Sequence, residues 1–190
     1  MPQAATKSAT VIPLETGIHG VILCPFATHA DSRGALTEVF RRDWDFAPDS
    51  VQWNYVRSEA GVLRGVHLHV KHADYLVVLE GSAIVGLRDM RPHSPTRDKS
   101  RLLELSAENL QALIIPPGVA HGFYFPQSAA HIYSTTEYWD SADELGCQWN
   151  DPALELAWPA IPAQLSPRDA ALPSYSELLK RAEPALAKCL

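Results

Sequence analysis

Residues 67 to 74 read HLHVKHAD and lie inside GVLRGVHLHVKHADYLVVLEG, which runs from Gly61 to Gly81. Three histidines and an aspartate within eight residues support two kinds of chemistry. Neutral imidazoles and a carboxylate can ligate a divalent metal ion. An imidazole left free of metal can instead take a proton from a substrate carbon. His67 is where the two readings collide, because one ring nitrogen cannot hold a metal and accept a proton at once. On a strand, residues two apart face the same side, so His67 and His69 point together into whatever the strand encloses.

The elements around this stretch are short and β-rich. "GVILCPF" is an apolar run, followed by the turn residues of "HADSRG" and then "ALTEVFRR". "YLVVLEGSAIVGLRDMR" predicts a hairpin with Glu80-Gly81-Ser82 at its turn and β-branched residues on both sides. "RPHSPTRDKS" is a polar loop. "RLLELS", "ALII", "HGFYF" and "HIYSTTEYW" supply further strands, with Pro-Pro-Gly turning the chain between the second and third. Short strands at regular spacing with Gly/Pro turns predict an all-β sandwich or closed barrel and exclude βαβ units. After Pro159 the character changes. "IPAQLSPRDAALP" is a proline-punctuated loop, and "SYSELLKRAEPALAKCL" predicts a helix capped at Ser174 or Ser176 that Pro184 should end or kink. The expected layout is a loose leader over 1–15, one barrel domain over 16–165, and a C-terminal loop and helix over 166–190.

Bulk properties narrow the function. A chain of 190 residues, 46% of them hydrophobic, has enough apolar side chains for one core. A net charge of −6 argues against a general nucleic-acid or anionic-membrane binder. Cys24, Cys147 and Cys189 are odd in number and form no CxxC, which predicts a reduced, cytoplasmic protein. No apolar run is long enough to span a bilayer, and the N-terminus lacks the apolar core of a signal peptide.

The opening stretch resembles the first motif of the metal-binding cupins, which are small double-sheet barrels. Gly61, His67, His69, Asp74 and Gly81 match G-x5-H-x-H-x3,4-E-x6-G, with Asp in place of Glu. Pro116, Gly118 and His121 match most of the second motif, but Phe125 stands where Asn is expected. That resemblance implies a metal on His67, His69, Asp74 and His121. The alternative at this point is the same barrel without metal, its histidines lining a polar pocket.

A longer run of words carries a second resemblance. "GVLRGVH", "SPT", "LSAENLQALIIPPGVAHGF", "YSTTEY", "WNDPALELAWP" and "LSPRDAALP" occur in the order found in the dTDP-4-dehydrorhamnose 3,5-epimerases, from about residue 22 to residue 176. The resemblance implies a cupin-type jelly-roll barrel with a short C-terminal helical segment. It further implies a homodimer, a nucleotide-diphosphate keto-sugar as substrate, and no metal or other cofactor. It places the family's general base on His67, the aspartate that orients that base on Asp169, and the general-acid tyrosine on Tyr133. Substrate-holding positions fall on Arg33, Glu38, Gln52, Asn54, Arg64, His121 and Glu144. Tyr138 would pack on the sugar or base, and Arg168 would keep a phosphate contact. Arg33 and Arg64 suit a pyrophosphate, because a guanidinium fork matches phosphate oxygens. His93 and His131 are expected on the surface.

Three positions depart from the family. Its lysine before the strand "YLVV", the partner of the ketone oxygen, is Asp74 here, with Lys71 three residues earlier. Its aspartate in the next strand is Val85, and its lysine before the dyad aspartate is Arg168. The first two remove one ion pair together. His69, His72 or Arg64 is then left to steady the enolate. The sequence therefore predicts an epimerase of a nucleotide-linked 4-keto-deoxysugar that inverts one or two centres. The competing readings are a metal-dependent cupin isomerase or dioxygenase, and a non-catalytic sugar-nucleotide binder.

Overall fold

A computed structural model describes residues 14–159 and 163–189. In chain order its strands are β1 (Leu14–Glu15), β2 (Ile22–Pro25), β3 (Thr28–Asp31), β4 (Gly34–Thr37), β5 (Gln52–Ser58), β6 (Leu63–Leu68) and β7 (Asp74–Glu80). They continue as β8 (Ser82–Asp89), β9 (Ser100–Ser106), β10 (Gln111–Ile115), β11 (Val119–Tyr124), β12 (Ala129–Thr135) and β13 (Leu145–Gly146). Two helices follow, α1 (Pro167–Ala170) and α2 (Tyr175–Leu186). Six strands form one antiparallel sheet in the order β1-β2-β10-β7-β12-β5, and five form a second in the order β13-β6-β11-β8-β9. The pair β3–β4 stands apart as a hairpin with most of its residues exposed. The molecule is the all-β jelly roll that the sequence predicts.

The central strands β7 and β10 are buried on both faces, which is why they read as continuous apolar runs and not as alternating ones. Along β7, Leu76 and Val78 point between the sheets and pack with Val85, Leu87, Leu105, Leu113 and Phe125. Tyr75 and Val77 point the other way, into a layer with Cys24, Ala112 and Ile114 that Phe26, Phe40 and Phe46 cover. The outer face of the second sheet buries Leu63, Val66 and Leu68 under Leu154, Tyr175, Leu178, Ala182 and Leu186. Those last four residues recur every three or four positions and form one stripe of α2.

Four expectations change. Gly81 turns the chain with φ +70°, but β7 and β8 join different sheets, so the expected hairpin is a corner between the two. Both structures need the same left-handed glycine turn, and the local sequence does not separate them. Of the expected leader, 1–13 lie outside the described residues, while Leu14 and Glu15 pair with Leu23 and Ile22. "SPRDA", expected as loop, forms the single turn α1, with Ser166 as N-cap and Pro167 as its first residue. Finally, α2 continues to Leu186 past Pro184, which lies in its last turn on the exposed side. There water can satisfy the carbonyl that loses its donor. The cap itself is Ser174, in a reciprocal box with Glu177.

Candidate active site

One end of the space between the sheets is a cavity of about 260 Å³. His67, Arg64 and His121 reach it from the five-stranded sheet, and Asp74, Tyr133, Gln52 and Asn54 from the six-stranded sheet. Groups from the two sheets therefore approach anything bound there from opposite walls.

A bulge sets which β6 side chains enter. His121 pairs with His67, whereas Phe123 pairs with Arg64, so three steps on β6 oppose two on β11. The extra residue lets Arg64 and His67 share a face. Gly65 makes this possible with φ +109°. A Cβ there would lie 2.8 Å from the His121 carbonyl and 2.9 Å from Gly122 Cα.

His67 Nε2 lies 2.7 Å from Asp169 Oδ1, across 102 residues of sequence. A carboxylate accepts there, so Nε2 carries the proton and Nδ1 keeps the lone pair. The Asp169 carboxyl loses hydration by burial. Even so, His67, the Ser166 hydroxyl and the Gly65 amide hold it below the ordinary carboxylate range, and it stays charged. Tyr133 is half-buried on β12, and burial first, then the charges of Asp74 and Glu144, push its phenol above the usual range. It keeps its proton at neutral pH.

Beyond these lies a denser cluster. His69 and His72 stack at 4.2 Å between ring centroids, and His121 is 5.2 Å from His69. His72 Nδ1 is 3.1 Å from Asp143 Oδ2, and Asp143 also accepts from the amides of Val70 and Lys71. Burial pushes the His69 imidazolium down to about 4, with His72 adding repulsion, and drives His121 well below the ordinary range. Both rings are neutral. Burial, reinforced by Glu144 and Asp143, pushes the Asp74 carboxyl well up.

Most of the expected substrate-holding residues meet here. Gln52 Nε2 donates to Asn54 Oδ1 at 3.2 Å, and the buried Asn54 Nδ2 has no hydrogen-bond partner among the described residues. Arg64 Nε donates to Ser58 Oγ at 3.0 Å, and Arg168 Nη2 donates to Glu144 Oε2 at 2.6 Å. Arg33, Glu38 and Tyr138 are not brought in. Arg33 lies on the exposed β3–β4 hairpin bound to Asp31, Glu38 contacts Arg41, and Tyr138 is 73% exposed. Lys71, the nearest lysine in sequence to the lost one, pairs with Asp140 at 2.9 Å and does not line the cavity. Val85 is wholly buried in the apolar core.

His93 is exposed as expected, but His131 is 3% exposed and faces inward. Its ring stacks on Phe125 at 5.5 Å, and its Nδ1 has no hydrogen-bond partner among the described residues. Sequence reasoning also missed Asp143, for which the only signal is an acid in a turn, and Trp139, whose amide donates to Gln52 Oε1.

A jelly roll with a carboxylate-held imidazole facing a phenol across its open end is a cupin-type barrel that carries acid–base groups. The family model described as dTDP-4-dehydrorhamnose 3,5-epimerase matches residues 15–177. The enzyme of that name from Neisseria gonorrhoeae is 36% identical over 177 residues, covering 89% of this chain and 54% of its own length. The Pseudomonas aeruginosa enzyme is 37% identical over 156 residues, covering 78% of this chain and 86% of its own. The Legionella pneumophila dTDP-6-deoxy-D-glucose-3,5-epimerase, solved with dTDP-4-keto-L-rhamnose, superimposes with a TM-score of 0.81 at 31% identity, covering 88% of this chain and 96% of its own. The chain thus spans about half the length of the Neisseria relative and most of the other two. It belongs to the dTDP-4-dehydrorhamnose 3,5-epimerase family, a family of isomerases.

Proposed function

We propose that the protein epimerises a nucleotide-linked 4-keto-6-deoxy sugar, with a dTDP sugar as the first choice of substrate. The observation that carries this reading is the 2.7 Å His67–Asp169 pair on one wall of a cavity whose opposite wall holds Tyr133. Carbons beside a ketone lose a proton to a base, because the resulting carbanion is shared with oxygen as an enolate. His67 Nδ1 takes that proton, and Asp169 keeps Nε2 protonated and steadies the imidazolium that forms. Tyr133 then donates to the other face of the same carbon. Base and acid stand on opposite sheets, which is what inversion requires. Arg64, Arg168 and Glu144 hold the sugar diphosphate, and the unpaired Asn54 amide supplies a directed donor. General acid–base groups of this kind contribute about 10²–10⁴-fold each.

The protein acts as a homodimer in the cytoplasm on this reading. Trp53 and Tyr55 on the edge strand β5, and Val51 just before it, are 42%, 58% and 43% exposed, an apolar edge that a second copy would cover. All three cysteines are free and buried, as suits a reducing compartment. Among the described residues no helix is long and apolar enough to cross a membrane.

The test is exchange of the sugar's α-protons with solvent deuterium, followed by mass spectrometry and NMR on a dTDP-4-keto-6-deoxy sugar. The wild type should incorporate deuterium at one or both carbons flanking the ketone and invert them. His67→Asn should abolish exchange while leaving substrate binding intact. Tyr133→Phe should leave some exchange with little inversion. Retained exchange in His67→Asn would remove His67 as the base.

A further inference from the structure

The family's ketone-binding lysine has given way to Asp74, and the groups around Asp74 have a geometry of their own. The ligand atoms of His69, His72 and Asp74 all lie within 4.8 Å of one another, and all three residues are buried. His72 Nε2 lies 3.8 Å from Asp74 Oδ1, and on the other side of the carboxyl His121 Nε2, from β11, lies 3.7 Å from Oδ2. These separations are too long for hydrogen bonds. The 3.8 Å between His72 and Asp74 is about 0.5 Å longer than the edge of a tetrahedron around one zinc ion, about 3.3 Å for bonds of about 2.0–2.1 Å, a gap that small side-chain rotations close.

The second nitrogens point the same way. His72 Nδ1 is held by Asp143 Oδ2 at 3.1 Å, His121 Nδ1 by the Val119 carbonyl at 3.1 Å, and His69 Nδ1 by the Asp143 carbonyl at 3.3 Å. Every one of these partners accepts, so each ring donates from Nδ1 and keeps a lone pair on its other nitrogen. Carboxylate- and carbonyl-held imidazoles are the usual outer support of metal-ligating histidines. Asp143 is itself fixed by the amides of Val70 and Lys71, which makes the support rigid.

We propose that His69, His72 and Asp74 bind one divalent transition-metal ion of the zinc class, which suits two imidazoles and a carboxylate and leaves a fourth position open. This departs from the cofactor-free expectation and also from the cupin set, because His72 takes the place of His67 and His121 stands outside the group. The opening conflict over His67 then disappears. Asp169 holds that imidazole for proton transfer, and the metal belongs to its neighbours.

A role for the ion rests on the epimerase reading above. It sits in the same cavity as His67 and Tyr133, beside the position that the family fills with lysine, and its open fourth position would take the ketone oxygen. The α-C–H bond breaks with its proton passing to His67 Nδ1. The electron pair forms the enolate, whose oxygen charge the cation balances. Reprotonation at carbon from Tyr133 restores the ketone, and no electron leaves the system.

The experiment titrates tag-free protein, stripped with chelator and then desalted, with Co²⁺ and Zn²⁺ by calorimetry and visible absorption. One equivalent per chain should bind, with Co²⁺ ligand-field bands that Zn²⁺ displaces. His72→Ala and Asp74→Asn should each lose the bound equivalent, while His67→Asn keeps it. Circular dichroism checks that the variants fold; if the first two do not, the wild type and His67→Asn still decide. No stoichiometric binding by the wild type overturns the site, as does binding that His67→Asn abolishes and His72→Ala preserves. Deuterium exchange should fall at least tenfold on stripping and return with Zn²⁺. Exchange indifferent to stripping, with the metal binding as described, overturns the role alone. Absence of exchange in loaded and stripped enzyme overturns the epimerase reading and leaves the site intact.

Discussion

His131 offers a prediction whose size follows from its surroundings. Its ring is 3% exposed, stacked on Phe125 and near Phe123, with Nδ1 unpaired. Burial, and then the charge of Arg64, lower its pKa from 6.5 to about 4. In the unfolded chain the ring titrates near its ordinary value of about 6.5. As pH falls through 6.5 the unfolded chain takes up a proton that the folded chain refuses until about pH 4. Stability is therefore complete above pH 6.5 and is lost on acidification. At pH 5 the unfolded ring is almost fully protonated and the folded ring about one-tenth so, a loss of about 2 kcal/mol; below pH 4 it reaches about 3 kcal/mol. Replacing the ring with phenylalanine keeps the stack and removes the proton site. Urea unfolding of wild type and His131→Phe at pH 8 and pH 5 isolates the effect, since every other titrating group is common to both. The variant should gain about 2 kcal/mol on the wild type between the two pH values. A gap that stays the same at both would mean that His131 is not held neutral by burial, and the reasoning fails.

Other expectations are shorter to state. Asp169→Asn replaces a charge-assisted hydrogen bond of about 1.5–3 kcal/mol with a neutral one of about 0.5–1.5 kcal/mol, so single-turnover α-proton exchange should slow by about 5- to 13-fold at unchanged substrate affinity. A loss below threefold would make the aspartate a spectator. Gly65→Ala places a methyl against the His121 carbonyl in a left-handed conformation, and thermal melting should reveal a cost of about 2–3 kcal/mol together with lost exchange. Arg91 and Asp89 form a 2.8 Å ion pair at 1% and 0% exposure, and Asp89 also accepts from Ser94 and Thr96. Arg91→Ala strands that carboxylate at about 3–5 kcal/mol, a fall in melting temperature of about 6–20 °C; a shift under 2 °C would show the pair to be dispensable.

How much of this was legible in the sequence depends on the residue. The strands could be read from apolar runs between Gly and Pro turns, but their partners could not, because Gly81 serves a sheet-to-sheet corner as readily as a hairpin. His131 was misplaced although the signal was present. Alternation that turns Tyr133 inward turns His131 inward as well, two positions back on the same strand. Arg64 is the opposite case, since strict alternation sets it against His67 and only the bulge at Gly65 reconciles them. The pairing of His67 with Asp169 came from resemblance and not from spacing, for nothing local joins residues 102 positions apart. His72 belongs to no strand, and its part in the cluster depends on Asp143, held in place from a distant turn.

The span between His67 and Asp169 has a further consequence in the order of synthesis. The strand that carries the imidazole leaves the ribosome 102 residues ahead of the turn that carries its carboxylate. Until α1 docks, His67 lacks the group that fixes its tautomer, and until α2 follows, Leu63, Val66 and Leu68 on the back of the same strand lack their cover. The two requirements are met by one stretch of chain, so the apolar packing that completes the barrel and the contact that readies the base arrive together. On the proposed mechanism, a partly made molecule with its strands already paired would therefore take a proton from a keto-sugar more slowly than the complete one.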